Sequence, residues 1–254
     1  MTSYIAGASR CTEFKAMTRL AMPLAAAIAM LLAGCGGSKA AVTISRPAGL
    51  PTATASPVST PLPPLPTPDA SLPSSAAIKA FVAKYGNPPQ ATAGRFRIPR
   101  LDVDAAISPR VVGANLELAN LNPFGPTDVT WYDFSVNPRF GGVPGKGHNA
   151  IFAAHVDYNY LVHYAGVNYN GQAIFQNADR MIPGDVIEVS MGDSVTRFAV
   201  AWKKQVHEAS AEWSALVSAT VPEGDAITLI SCIGNFDAAT HEYDSRTVIR
   251  AKRV

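Results

Sequence analysis

Cysteine is scarce in this chain, with three in 254 residues, at positions 11, 35 and 232. Charge of one sign is lacking too: 21 basic residues stand against 19 acidic ones, a formal net charge of +2. Three of the basic residues (Arg10, Lys15, Arg19) and one acidic one (Glu13) fall within the first 34 positions, so the remainder carries 18 of each. That balance excludes the basic footprint of a nucleic-acid-binding protein. It equally excludes a polybasic patch for anionic lipid. Metal-ligand spacing is missing as well: His148, His163, His207 and His241 are scattered, which argues against a zinc site. The longest charge-free apolar run, residues 20–32, is too short for a comfortable membrane span.

Proline is plentiful but unevenly placed. Residues 1–34 combine a basic region with the apolar run 20–32, the pattern of an export signal. The run ends in Leu32-Ala33-Gly34-Cys35, which resembles the bacterial lipobox. That resemblance implies cleavage before Cys35 and diacylglyceration of its sulfur. Residues 35–73 are rich in Pro, Ser, Thr and Ala, with Pro57, Pro61, Pro63, Pro64, Pro66 and Pro68 crowded together. A stretch so poor in large apolar groups cannot offset its ordering entropy. It is expected to form an extended tether.

A helix is predicted next: Ile78, Phe81, Val82 and Tyr85 recur on one face, Ser74 or Ser75 can cap it, and Gly86 and Pro88 stop it. From Arg95 the pattern turns to strand. Segments 96–98, 103–107 and 110–112 are short and broken by Pro99 and Pro109. Residues 122–147 read as loop, with Trp131, Tyr132 and Phe134 as apolar anchors. Residues 150–154 form a buried-type strand ending at His155, and 185–191 and 195–202 flank a Gly192-Asp193 hairpin turn. A short helix around Trp213, Leu216 and Val217 interrupts a long crossover. The last hairpin runs from an apolar strand, 227–231, through Cys232 and a polar loop to a strand starting at Arg246. Many short strands with few long helices predict a mainly β, closed or nearly closed barrel.

If the leader is removed and Cys35 acylated, Cys232 is the one remaining thiol, with no second cysteine to pair with. An unpaired cysteine outside the cytoplasm is a liability unless its thiol is used. Only a few percent of an ordinary thiol is ionised at neutral pH, so a nucleophilic cysteine needs a partner. His155, at another strand end, can serve as base or imidazolium partner. Arg246 can donate fixed hydrogen bonds to the oxyanion that forms when a thiolate attacks a carbonyl. Cys, His and Arg together specify acyl transfer through a thioester.

Three motifs give this chemistry a family. Thr228-Leu229-Ile230-Ser231-Cys232 resembles the Thr-Leu-x-Thr-Cys strand of the sortases, the cysteine transpeptidases of bacterial cell surfaces. Arg246-Thr247-Val248-Ile249-Arg250-Ala251 resembles their arginine strand, and Asn149-Ala150-Ile151-Phe152-Ala153-Ala154-His155 their histidine strand. The resemblance spans residues 90–254 and is nearest the branch called class F or class E. Ser231 replaces the usual Thr and Ala154 the usual Gly. A lipobox is unusual in a family that anchors through a transmembrane helix. The L,D-transpeptidases, by contrast, expect Ser-His-Gly-Cys-x-x-Leu, which is not found around Cys232.

The resemblance implies a sortase-type closed β-barrel of about eight strands over residues 74–254, with short helices, one N-terminal helix and a disordered linker before it. It implies His155, Cys232 and Arg246 as catalytic residues, with Arg246 preferred to Arg250 because its spacing to Val248 and Ala251 fits the motif. The substrate would be a protein bearing an LPXTG-like sorting signal, and the acceptor an amine of peptidoglycan precursor or of a pilin lysine. Asp157, two positions past His155, is a candidate to orient the imidazole, and Ser231 a candidate substrate contact. The apolar crossover around Trp213 is a candidate pocket wall. No cofactor is implied, although some sortases bind calcium through loop carboxylates, for which Glu208, Glu212 and Asp225 stand in a suitable crossover. The expected location is the extracytoplasmic face of the bacterial membrane, held by lipid on Cys35. The alternative is a catalytically idle, lipid-anchored module of the same fold that binds peptides or cell-wall material.

Overall fold

The computed structural model describes residues 63–114, 122–237 and 242–254. The export signal, Cys35 and most of the tether lie outside the described residues. Residues 65–254 belong to one structural unit.

Eight strands form a closed barrel: β1 (Gly94–Ile98), β2 (Val103–Val111), β3 (Asp128–Asp133), β4 (Asn149–Ala153), β9 (Val186–Met191), β10 (Ser194–His207), β11 (Ala226–Asp237) and β12 (Glu242–Arg253). Two small ribbons, β5 (Asp157–Tyr158) with β8 (Gly171–Gln172) and β6 (Leu161–Val162) with β7 (Val167–Asn168), build an excursion after β4. The order around the barrel is β1-β2-β3-β4-β11-β12-β10-β9, and β9 returns to β1. Only β2–β3 and β4–β11 are parallel. Closure demands a close approach at Gly94, where φ is +141° and a methyl group would run into the Ser190 carbonyl oxygen.

Side-chain alternation divides the apolar residues between two cores. Phe96, Ile107, Val129, Phe152, Val189, Phe198, Leu229 and Ile249, one from each strand, fill the interior. Each such side chain contributes roughly 1.5–3 kcal/mol by burial. The opposite phase of β4, β11 and β12 carries Ile151, Ile230 and Val248 to an outer face. There the β10–β11 crossover covers them with Trp213, Leu216 and Val217, around a one-turn helix at Trp213–Leu216. Two buried side chains fasten that crossover. The Asn149 amide donates to the carbonyls of Leu216 (3.2 Å) and Ser218 (3.0 Å) while accepting from the Thr228 hydroxyl (2.7 Å). Arg250 donates to the Leu216 carbonyl (2.9 Å), pairs with Glu223 (3.1 Å) and stacks on Trp202.

The predicted N-terminal helix is α1 (Ala76–Tyr85), with Ile78 and Phe81 buried. The Ser75 hydroxyl does not cap it; that group bonds Asp102, and the first-turn bond comes from the Ala76 N–H to the Ser74 hydroxyl. Attachment to the barrel starts earlier than the helix, within the stretch read as tether. The Asp69 N–H donates to the Arg100 carbonyl (2.8 Å), and Asn177 holds the Pro73 carbonyl (2.9 Å).

Three local expectations need correction. Residues 128–133, read as loop, form β3, because pairing with β2 and β4 outweighs the glycines and prolines flanking them. Segments 103–107 and 110–112 are largely one strand running through Pro109, which faces Trp131 in the parallel ladder. The returning strand of the last hairpin begins at Glu242 rather than Arg246, and β11 runs on past Cys232 to Asp237.

Candidate active site

The site is built where β4, β11 and β12 lie side by side. In the antiparallel β11–β12 register Cys232 stands opposite Arg246. In the parallel β4–β11 register the last pairs are Leu229 with Phe152 and Ile230 with Ala153. Parallel strands carry their carboxyl ends in the same direction. Continuing that register by two residues brings His155 level with Cys232, and the Ala154 N–H to Ile230 carbonyl bond (3.4 Å) extends the ladder one step along that line. Cys232 and Arg246 alternate in phase with Ile230 and Val248, on the outer face beside the crossover.

All three groups are buried: Cys232 is 5% exposed, His155 3% and Arg246 4%. The His155 ring meets the Tyr158 ring edge-on, with centroids 5.3 Å apart. Burial pushes the imidazole down to about 4. It is therefore neutral at pH 7. Arg246 is gripped on two sides. Its Nη1 donates to the carbonyls of Tyr243 (2.5 Å) and Ser245 (3.0 Å), and its Nη2 lies 3.5 Å from Glu208 Oε2.

The sulfur of Cys232 is disulfide-bonded in this structure, and the chain's other two cysteines, Cys11 and Cys35, lie outside the described residues. The single remaining thiol expected of a processed chain is thus not the state seen here. With only three cysteines, loss of residues 1–34 and acylation of Cys35 would leave Cys232 no partner. The chemistry of the site is that of the reduced sulfur.

Asp157 is bonded to the Tyr243 hydroxyl at 3.2 Å. Burial, and then this carboxylate, push the Tyr243 phenol up to about 12. Ser231 is 4% exposed, and its hydroxyl finds no partner among the described residues. Trp213, Leu216 and Val217 are buried in the outer core. The three carboxylates considered for calcium are drawn to separate cations: Glu208 to Arg246, Glu212 to Lys204 (2.5 Å) and Asp225 to Arg253 (3.0 Å). Among the described residues no group of three metal-ligating side chains occurs, and no helix is long and apolar enough to cross a membrane. Arg250, the second guanidinium, serves the crossover rather than the cysteine.

Sequence reading missed Glu208. Glu208 pairs with an arginine 38 positions away, which only the β10–β12 pairing brings near.

A family model described as the sortase domain matches residues 96–254. No curated protein matches the chain. Solved structures similar to it include the sortase D5 transpeptidase of Clostridium perfringens, at 14% identity and TM-score 0.43, covering 71% of this chain and 89% of that one. Sortase E1 of Streptomyces coelicolor, solved with a tripeptide in its active site, is 18% identical with TM-score 0.44, covering 66% and 91%. A lid mutant of sortase A from Corynebacterium diphtheriae is 19% identical with TM-score 0.44, covering 70% and 77%.

Proposed function

The chain belongs to the sortase family, and we propose that it is a cell-surface cysteine transpeptidase that cleaves an LPXTG-like sorting signal and passes the acyl group to an amine. The observation that carries this reading is the cross-strand pair of Cys232 and Arg246, with His155 continuing the adjacent parallel strand to the same level.

In the first half-reaction the reduced sulfur attacks the carbonyl of the Thr-Gly bond as its proton passes to the neutral imidazole of His155. The sulfur–carbon bond forms, and the oxyanion is held by the guanidinium of Arg246. Collapse of the adduct breaks the carbon–nitrogen bond, and the imidazolium hands its proton to the departing amine. In the second half-reaction an acceptor amine attacks the thioester carbonyl and loses its proton to His155, and that proton returns to the departing sulfur. Lipid on Cys35 and the tether behind it hold the barrel at the extracytoplasmic face of the membrane.

The test is mass spectrometry of the detergent-solubilised, reduced full chain incubated with a panel of LPXTG-type peptides and an amine, beside a Cys232→Ala control. A thioester adduct or an amide product that requires Cys232 supports the reading. If the thiol alkylates normally yet forms no adduct with any peptide, the idle binding module replaces it.

A further inference from the structure

His155 stands at the root of the excursion after β4, and three edge-on ring contacts join it to the N-terminal helix. Its imidazole meets Tyr158 of β5 at 5.3 Å between centroids, Tyr158 meets Tyr169 at 6.4 Å, and Tyr169 meets Phe81 of α1 at 5.2 Å. Phe81 is buried, as is Ile78 one turn earlier, which packs into the barrel interior. A second route runs through the backbone. The His155 carbonyl accepts from the Phe175 N–H (2.9 Å). The next two side chains, Gln176 and Asn177, donate to the carbonyls of Ser74 (3.2 Å) and Pro73 (2.9 Å), just before α1. The helix and the segment leading into it therefore bear on both the ring and the main chain of His155.

We propose that Phe81 of α1 is a positioning residue for His155, holding its imidazole in place through Tyr169 and Tyr158 without touching the reacting atoms.

The two intervening rings are tied at their far ends. Tyr169 donates through its hydroxyl to the Gln172 carbonyl (2.7 Å) and through its N–H to the Tyr160 carbonyl (2.9 Å). Tyr158 donates through its hydroxyl to the Leu161 carbonyl (3.3 Å), and Tyr160 packs edge-on against its ring at 5.6 Å. Edge-on rings at such separations attract one another through their quadrupoles. In a close-packed array, a void opened at one member is felt by the next. Removing the Phe81 ring takes the backing from Tyr169, and through it from Tyr158 and the imidazole. The series carries packing rather than charge. Burial raises the Tyr158 phenol to about 12 and the Tyr169 phenol above its ordinary value, so both are neutral at pH 7. Lys79, on the same helix, pairs instead with Asp102 at the surface (2.6 Å).

The catalytic half of this inference rests on the transpeptidase reading, so the experiment has one arm that needs no substrate. In the reduced full chain, the imidazole signals of His155 are recorded by NMR at neutral pH. Phe81→Ala should shift and broaden them as the ring samples more than one pose. Lys79→Ala, which breaks only an exposed ion pair, should leave them in place. In the peptide assay Phe81→Ala should lose kcat by about tenfold, part of the ~100-fold cost of displacing a reacting group by about 1 Å, with KM little changed. Lys79→Ala should keep the wild-type kcat. Unchanged His155 signals in a folded Phe81→Ala protein overturn the proposal, as does an equal loss of kcat in Lys79→Ala. If Phe81→Ala does not fold, Tyr169→Leu, which removes the middle ring, decides by the same readings. A wild-type protein that turns over no peptide counts against the transpeptidase reading only, since the NMR arm still settles the positioning.

Discussion

Cys232 and Arg246 are a directly opposed cross-strand pair, and the guanidinium is fixed from behind by Glu208 and by two carbonyls of its own strand. Opposed residues on antiparallel strands keep their spacing because the ladder sets it. The arginine is thus held ready before substrate arrives.

Arg246→Lys retains a cation for Glu208 but loses the planar fork that serves both Glu208 and an oxyanion. The expected loss in kcat is about 100-fold or more, the scale of removing an oxyanion donor. Thermal melting should stay near wild type. Equal kcat in the two proteins would show that Arg246 does not stabilise the reacting carbonyl.

Two buried groups titrate in opposite senses. The folded-state pKa of His155, about 4, lies below its unfolded value, so the unfolded chain binds the extra proton between about pH 4 and 6.5. The contribution of this group is present above 6.5 and lost as pH falls toward 4. Asp128 is raised from 3.8 to about 6, so its contribution is present below 3.8 and lost as pH rises through 6. Denaturant melts at a series of pH values should show the gap between wild type and His155→Gln growing by roughly 3 kcal/mol from pH 4 to 7. A gap independent of pH would mean that the imidazole is solvated.

Arg250 separates crossover from chemistry. Arg250→Met leaves Glu223 and the Leu216 carbonyl without their buried donor, and should cost about 3 kcal/mol in urea melts. The variant should raise KM for sorting peptides through the loosened crossover while alkylation of Cys232 proceeds at its usual rate. A larger effect on alkylation than on stability would place Arg250 with the cysteine instead.

Gly234, two residues past Cys232, has φ +99°, and a methyl group there would collide with Asp244 Oδ1. Asp244 holds both the backbone and the side-chain amide of Asn235, at 3.1 and 3.0 Å. Gly234→Ala should therefore break this latch and cost about 1–3 kcal/mol. Hydrogen exchange should report the loss in residues 233–245 first; protection unchanged there would refute the latch.

Legibility in the sequence followed the range of the interaction. Short strand-forming runs bounded by turn residues announced β1, β4, β9 and most of β11, and the three motifs announced His155, Cys232 and Arg246, because each is a local pattern. The level of His155 beside Cys232 depends on a parallel ladder between segments 77 residues apart, and alternation within one strand carries no information about its neighbour. Strand β3 was hidden because its partners, rather than its own composition, hold it extended. Ser75 looks like a cap, yet its hydroxyl is claimed by Asp102, 27 residues away.

The strand order also fixes a moment in the life of the chain. Of the eight staves, β11 and β12 come last in sequence, yet they sit between β4 and β10 and complete the ring. A polypeptide emerging from the ribosome or an export channel carries its histidine long before its cysteine, and its cysteine before the arginine opposite. Until the final hairpin docks, β4 and β10 have open edges, and His155 stands apart from Cys232 and Arg246, which the hairpin itself pairs. The nascent protein is therefore chemically silent, and reactivity appears only as the ring shuts.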